Sequence, residues 1–126
     1  PMSAGVLDGT PLMCLPGNPV AAFVCYRLVA GPVLAHLAGR TASALLRLPV
    51  KTGFAHHKPA GRTEYLRVTL QQEKNGSPVM HLHGRKGAGV LSSLTGADGL
   101  AEIPVENDGV AVGDYLCFIP FRETGL

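Results

Sequence analysis

With 126 residues, 46% of them apolar and 16% charged, the chain can bury a core and is not a disordered segment. A formal net charge of +2, with the basic residues spread among loops and strands, gives no support to nucleic-acid binding. Cys14, Cys25 and Cys117 are odd in number and lack C-x-x-C spacing, which argues for a reducing, cytoplasmic setting, against a zinc knuckle, and for apolar filler.

The opening residues 1–8 read as an irregular or extended lead-in to a turn at Asp8-Gly9, and no basic region followed by an apolar core marks a signal peptide. Residues 11–15 are short and apolar, as suits a buried strand. They run into Leu15-Pro16-Gly17-Asn18-Pro19-Val20, which joins that strand to a long apolar helix. Asn18 is placed to cap the helix and Pro19 fits its first turn, where a missing N–H costs nothing. A glycine beside free helix-start amides can receive an anion, and the same residues also make a well-capped connection with no ligand. The helix is apolar nearly all round, so a single neighbouring strand cannot cover it, which predicts a piece of a larger fold or cover by another chain. Gly31-Pro32 is expected to kink or break it, and Gly39 to close the second piece. Arg27 and Gly31-Pro32 within the run argue against a membrane span.

From residue 44 the texture changes to short alternating runs separated by Gly, Pro and Asn, which predicts a small all-β barrel or sandwich with a boundary near residues 40–43. Strands are expected over 46–53, 63–72, 79–83, 100–104 and 115–120, with Asn75-Gly76 turning between the second and third. Alternation puts Leu66, Val68 and Leu70 on the core face and Tyr65 and Arg67 on the other. The loop Gly84-Arg85-Lys86-Gly87-Ala88-Gly89, followed by Ser92-Ser93, reads either as a concave anion site with two cations or as a solvated basic loop. His81 and His83 share a strand face without a third metal ligand and read as a polar face. His56-His57 reads as loop, and Asp98-Gly99 and Asn107-Asp108-Gly109 as turns.

Leu-Pro-Gly-Asn-Pro-Val at 15–20, the helix ending near Leu37-Ala38-Gly39, Gly61-Arg62-Thr63-Glu64-Tyr65-Leu66-Arg67, Gly87-Ala88-Gly89-Val90-Leu91-Ser92-Ser93-Leu94, Ala97-Asp98-Gly99-Leu100, Ile103-Pro104 and Gly113-Asp114 occur in one order. In that order and spacing the chain resembles the C-terminal portion of the molybdopterin molybdenumtransferases, the MoeA family, related to the E domain of gephyrin and its plant counterpart. The resemblance implies a mixed fold: residues 1–42 as the last strand and helices of a MogA-like α/β domain, then residues 43–126 as a C-terminal β-barrel of the family's domain IV type. It further implies insertion of molybdate into adenylylated molybdopterin, with release of AMP helped by Mg2+, in a cytoplasmic homodimer that can meet other molybdenum cofactor biosynthesis proteins. Nucleic acid and membrane are not among the partners it implies.

By the same resemblance Pro16, Gly17, Asn18 and Pro19 lie on the cofactor side, and Arg67, Lys86, Gly87, Ala88 and Ser92 hold the oxyanion. The family's acidic, magnesium-binding and glycine-rich segments have no match here, so the chain alone is expected to be inactive, with no catalytic residue and no metal ligand of its own. The rival reading is a non-catalytic assembly module, a small barrel with an apolar helical docking arm. Ala88 stands where the family pattern has serine. Restoring the hydroxyl with Ala88→Ser should tighten molybdate binding by about 0.5 to 1.5 kcal/mol if loop amides already hold the anion. Molybdate titration of the full-length protein with and without the change checks this, and an unmoved affinity counts against an anion in the loop.

Overall fold

The structure, a computed structural model, describes residues 2–41, 45–84 and 95–122, and along these the chain divides into two compact units between Leu45 and Leu46. In the first unit β1 (Ser3–Leu7) pairs antiparallel with β2 (Thr10–Cys14), from Ser3 opposite Cys14 to Leu7 opposite Thr10. Asp8 and Gly9 turn the hairpin with φ of 50° and 78°. Two left-handed residues in a two-residue loop match the right-handed twist of the flanking strands. Of the irregular or extended lead-in expected before Asp8-Gly9, the extended form is the one present, because Asp-Gly sets a hairpin even where the preceding residues lack strong alternation.

The helix begins at α1 (Pro19–Cys25), where Asn18 Oδ1 accepts from the amides of Val20 at 2.9 Å and Ala21 at 3.3 Å. It continues through a π-helical turn (Tyr26–Ala30) into α2 (Gly31–Leu37), with helical dihedrals at Cys25, Ala30 and Gly31. Of the kink or break expected at Gly31-Pro32, the break does not occur. The Gly31 amide reaches back five residues to the Tyr26 carbonyl, and this widened turn takes up the proline that a regular α-helix would clash with. At the far end the amides of Gly39 and Arg40 donate to the carbonyls of His36 (3.0 Å) and Ala35 (2.9 Å), with Gly39 at φ 75°. That is a Schellman closure, as glycine at this position predicts. Within the chain only Ala30 of the helix is buried, and Val29, Val33, Leu34 and Leu37 are exposed. The run of 19 residues is long and apolar enough to cross a membrane by length and composition alone, with Arg27 midway along it.

The second unit is a closed five-stranded barrel. Its strands β3 (Leu48–Thr52), β5 (Glu64–Gln72), β6 (Pro78–Leu82), β7 (Gly99–Ile103) and β9 (Tyr115–Pro120) run in the order β3-β6-β5-β7-β9, and β9 pairs again with β3. All pairs are antiparallel except β3 with β6. The five expected strands are present within two residues at their ends. Residues 74–76 turn β5 into β6, with Gly76 at φ 84° and Asn75 Oδ1 accepting from the Ser77 amide at 3.0 Å. Two short strands, β4 (His56–His57) and β8 (Gly109–Val110), pair outside the barrel ladder. His56-His57 is thus a strand and not a loop, and two residues are too few for alternation to reveal it.

Alternate residues fill the barrel, with Val50, Val68, Met80, Ala101, Leu116 and Phe118 in one buried cluster that Leu66 packs against. Leu70, on the same face, lies half open at 36% exposure. Asp98 and Gly99 do more than turn. The Asp98 amide donates to Val68 O (2.9 Å), its carboxylate accepts from the Leu70 amide (2.7 Å), and its carbonyl accepts from the Phe121 amide (3.0 Å). Gly99 then lies between Val68 of β5 and Pro120 of β9. A Cβ there would overlap the Ile119 carbonyl oxygen and come within 2.6 Å of the Phe118 ring. Gly99→Ala should accordingly destabilise the barrel by about 1 to 3 kcal/mol, the cost of overpacking a filled site. Urea denaturation of the two proteins measures this, and equal stabilities would show that β9 can retreat.

Candidate functional site

Arg67 lies in the middle of β5 on the side away from Leu66 and Val68, with Leu100 of β7 as its register partner. On its other flank the His83 amide donates to the Arg67 carbonyl at 3.0 Å. The chain leaves β6 at that point and returns through Asp98 beside Val68 and Leu70, so the stems of the segment 85–94 join β5 at Arg67 and at the residues that follow it. The stems also meet each other, since a Cβ on Gly96 would come within 2.7 Å of the His83 ring. Lys86, Gly87, Ala88 and Ser92 lie outside the described residues. Arg67 is half-buried, and Leu100 and Ile119 beside it are fully buried although they face away from the barrel core.

Pro16, Gly17, Asn18 and Pro19 form the exposed turn from β2 into the helix. Its helix-start amides are taken up within the chain: Pro19 has none, Val20 and Ala21 donate to the Asn18 side chain, and Ala22 donates to the Asn18 carbonyl at 2.8 Å. An anion would have to displace the Asn18 carboxamide to reach them. Among the described residues nothing comes within 4 Å of where a Gly17 Cβ would lie, so their packing does not ask for glycine there.

A polar group that the sequence reading passed over lies on the barrel's outer side. Arg47 Nη1 bonds Glu102 Oε2 at 2.8 Å and lies 3.8 Å from Cys117 Sγ, and Tyr65 also hydrogen-bonds Glu102. Tyr65, Glu102 and Cys117 are successive register partners across β5, β7 and β9. Only the strand register brings them together, so spacing along the chain gives no sign of it. Burial alone would raise the Glu102 carboxyl, but the bonds from Arg47 and Tyr65 outweigh it and hold the group below its ordinary value. Burial, and then the bond to Glu102, push the Tyr65 phenol up, while the bond to Glu102 raises the Arg47 guanidinium further. Tyr65 is thereby kept protonated and is no base. Among the described residues no three His, Cys, Asp or Glu side chains converge as a metal site.

Residues 49–121 match the family described as the MoeA C-terminal region (domain IV). Two curated relatives come from Mycobacterium tuberculosis. Molybdopterin molybdenumtransferase 2 is 30% identical over 92% of this chain, and molybdopterin molybdenumtransferase 1 is 28% identical over 86%. The chain spans only about a quarter of their lengths, 28% and 26%. Among solved structures, the molybdopterin biosynthesis MoeA protein of Pyrococcus horikoshii superposes with a TM-score of 0.70 at 25% identity, over 98% of this chain and 29% of that one. A molybdenum cofactor biosynthesis protein of Pyrococcus furiosus, 23% identical, shares the fold with a TM-score of 0.68 over 90% of this chain and 39% of that one.

The Arg47, Glu102 and Tyr65 group makes a pH-dependent contribution whose sign is fixed. A carboxyl held low in the folded state stabilises above its unfolded pKa, and the contribution is lost as pH falls through the folded value. Glu102→Gln should cost about 0.2 to 1 kcal/mol at neutral pH, the range for exposed pairs, and the difference should close in acid once the folded-state carboxyl is protonated. Thermal melts of both proteins at pH 7 and in acid test it, and a gap that widens on acidification contradicts the assignment.

Proposed function

The chain belongs to the MoeA family through its C-terminal region (domain IV), and from that premise we propose that it serves a molybdopterin molybdenumtransferase in molybdenum cofactor biosynthesis. The barrel is the domain IV part. Residues 1–42, with the β1–β2 hairpin and the helix, are the C-terminal fragment of a MogA-like molybdopterin-binding α/β domain, whose other layers would cover the apolar helix. The whole enzyme takes adenylylated molybdopterin and molybdate, releases AMP, and leaves molybdenum on the cofactor's dithiolene. Magnesium assists there through ligands outside this chain, and the enzyme works as a cytoplasmic homodimer.

The observation that supports the reading is the position of Arg67, bonded to one stem of the segment that holds Lys86, Gly87, Ala88 and Ser92 and next along β5 to Val68, which bonds the other. A guanidinium presents a planar fork of donors suited to a tetrahedral oxyanion. Its task is to hold molybdate in place while the cofactor is presented, which is electrostatic positioning and not proton transfer. Gly17 and Asn18 belong to the cofactor side, where the absent side chain of Gly17 permits close approach and the Asn18 carboxamide can exchange its helix amides for a ligand.

The exposed helix also fits a docking module without chemistry, and one experiment separates the two. In the full-length protein Arg67→Ala should raise the molybdate requirement by about 1.5 to 3 kcal/mol, the worth of a charged hydrogen bond. Molybdate-dependent AMP release measures it. An unchanged molybdate dependence would remove Arg67 from the site, and no molybdate response in either protein would favour the docking module.

A further inference from the structure

Lys51 of β3, Val79 of β6 and Gln71 of β5 are register partners and form one row across three strands on the barrel's outer side. Their neighbours Thr52 and Met80 are fully buried, and Met80 belongs to the core cluster. Val79 faces away from that core yet is only 4% exposed. It forms the floor of a depression of about 200 Å³ walled by Lys51, Gln71, Gln72, Glu73 and His81, with Val112 at its margin. Gly53 keeps the depression open, since a Cβ there would come within 2.5 Å of the His81 ring and 2.9 Å of Val79.

The polar groups around this floor are weakly committed. Lys51 Nζ stands 3.7 Å from Glu73 Oε1, beyond hydrogen-bond length, with the two side chains 38% and 44% exposed. Such a pair contributes little and exchanges partners readily. Among the described residues the side chains of Gln71, Gln72 and His81 make no hydrogen bond. An ammonium, two carboxamides and an imidazole thus line the depression and can each offer a donor, beside one carboxylate and an apolar floor. The volume lies below the roughly 300 to 1,000 Å³ of pockets for drug-sized ligands, so the occupant is small.

We propose that this depression is a subsite for a small organic carboxylate with an apolar body. The carboxylate takes Lys51 from Glu73 and receives the Gln71 and His81 donors, and the apolar body rests on Val79. The site is separate from the one assigned to Arg67. Gln71 is four residues further along β5, about 13 Å at the strand rise, so either assignment can fail alone.

An NMR titration of the full chain with sodium benzoate tests the proposal. Saturable shifts are expected at the amides of Lys51, Gln71 and His81, with a dissociation constant in the millimolar range. Lys51→Met should weaken binding about tenfold by removing the charged partner, and Glu73→Gln should tighten it about threefold by removing the competing carboxylate. Benzamide, the neutral counterpart, should bind at least tenfold more weakly. No shifts up to about 50 mM benzoate would overturn the proposal. So would equal binding of benzamide, or benzoate affinity that neither substitution alters in proteins whose spectra keep the barrel pattern.

Discussion

The barrel depends on how closely β7 can approach β9 where it begins. Asp98 joins β5 and the end of β9 through its amide, carbonyl and carboxylate, and Gly99 then passes where no side chain fits. The two residues act together. Hydrogen bonds hold the strand ends at a separation that the glycine makes sterically possible, and the closed order β3-β6-β5-β7-β9 leaves no ladder edge open. The same junction lies on β5 one residue along from Arg67, through the bond of the Asp98 amide to the Val68 carbonyl. The packing that closes the barrel therefore also sets where an anion beside Arg67 would be met.

The first unit poses the opposite problem, with good local structure and little to pack against. Its hairpin turn, its Asn18 cap and its Schellman closure are all satisfied by local chemistry. None of them buries apolar area, and helices in proteins owe most of their stability to such burial. The π turn at Tyr26–Ala30 carries the backbone past Gly31-Pro32 without a break, so the apolar residues of α1 and α2 stay on one hydrogen-bonded helix.

Local signals explain what was legible in the sequence. The barrel strands and the core face of β5 followed from alternation, and the helix ends followed from Asn18, Pro19 and Gly39, each of which acts through bonds to near neighbours. Long-range register was invisible. Nothing in the spacing of Arg47, Tyr65, Glu102 and Cys117 shows that they meet on one surface, and Asp98-Gly99 looks like any turn until β9 is placed beside it. The same holds for Gly31-Pro32, where the rule for proline in a helix was sound but a π turn offered another way to obey it. Of the site, the outward face of Arg67 was readable from β5 alone, while the adjoining stems required the pairing of β5 with both β6 and β7.

The direction of the charge shifts bears on what kind of work this barrel is suited to do. Glu102 is held low, and Tyr65 and Arg47 are raised, so each is fixed more firmly in the form it already has at neutral pH. General acids and bases are tuned the other way, toward the operating pH, so that a proton can leave and return. A group hardened in its ordinary state is a good scaffold and a poor proton carrier. An arginine serves as Arg67 is proposed to serve because its charge persists whatever the substrate does, and a rigid strand on a closed barrel keeps that charge in place without reorganisation.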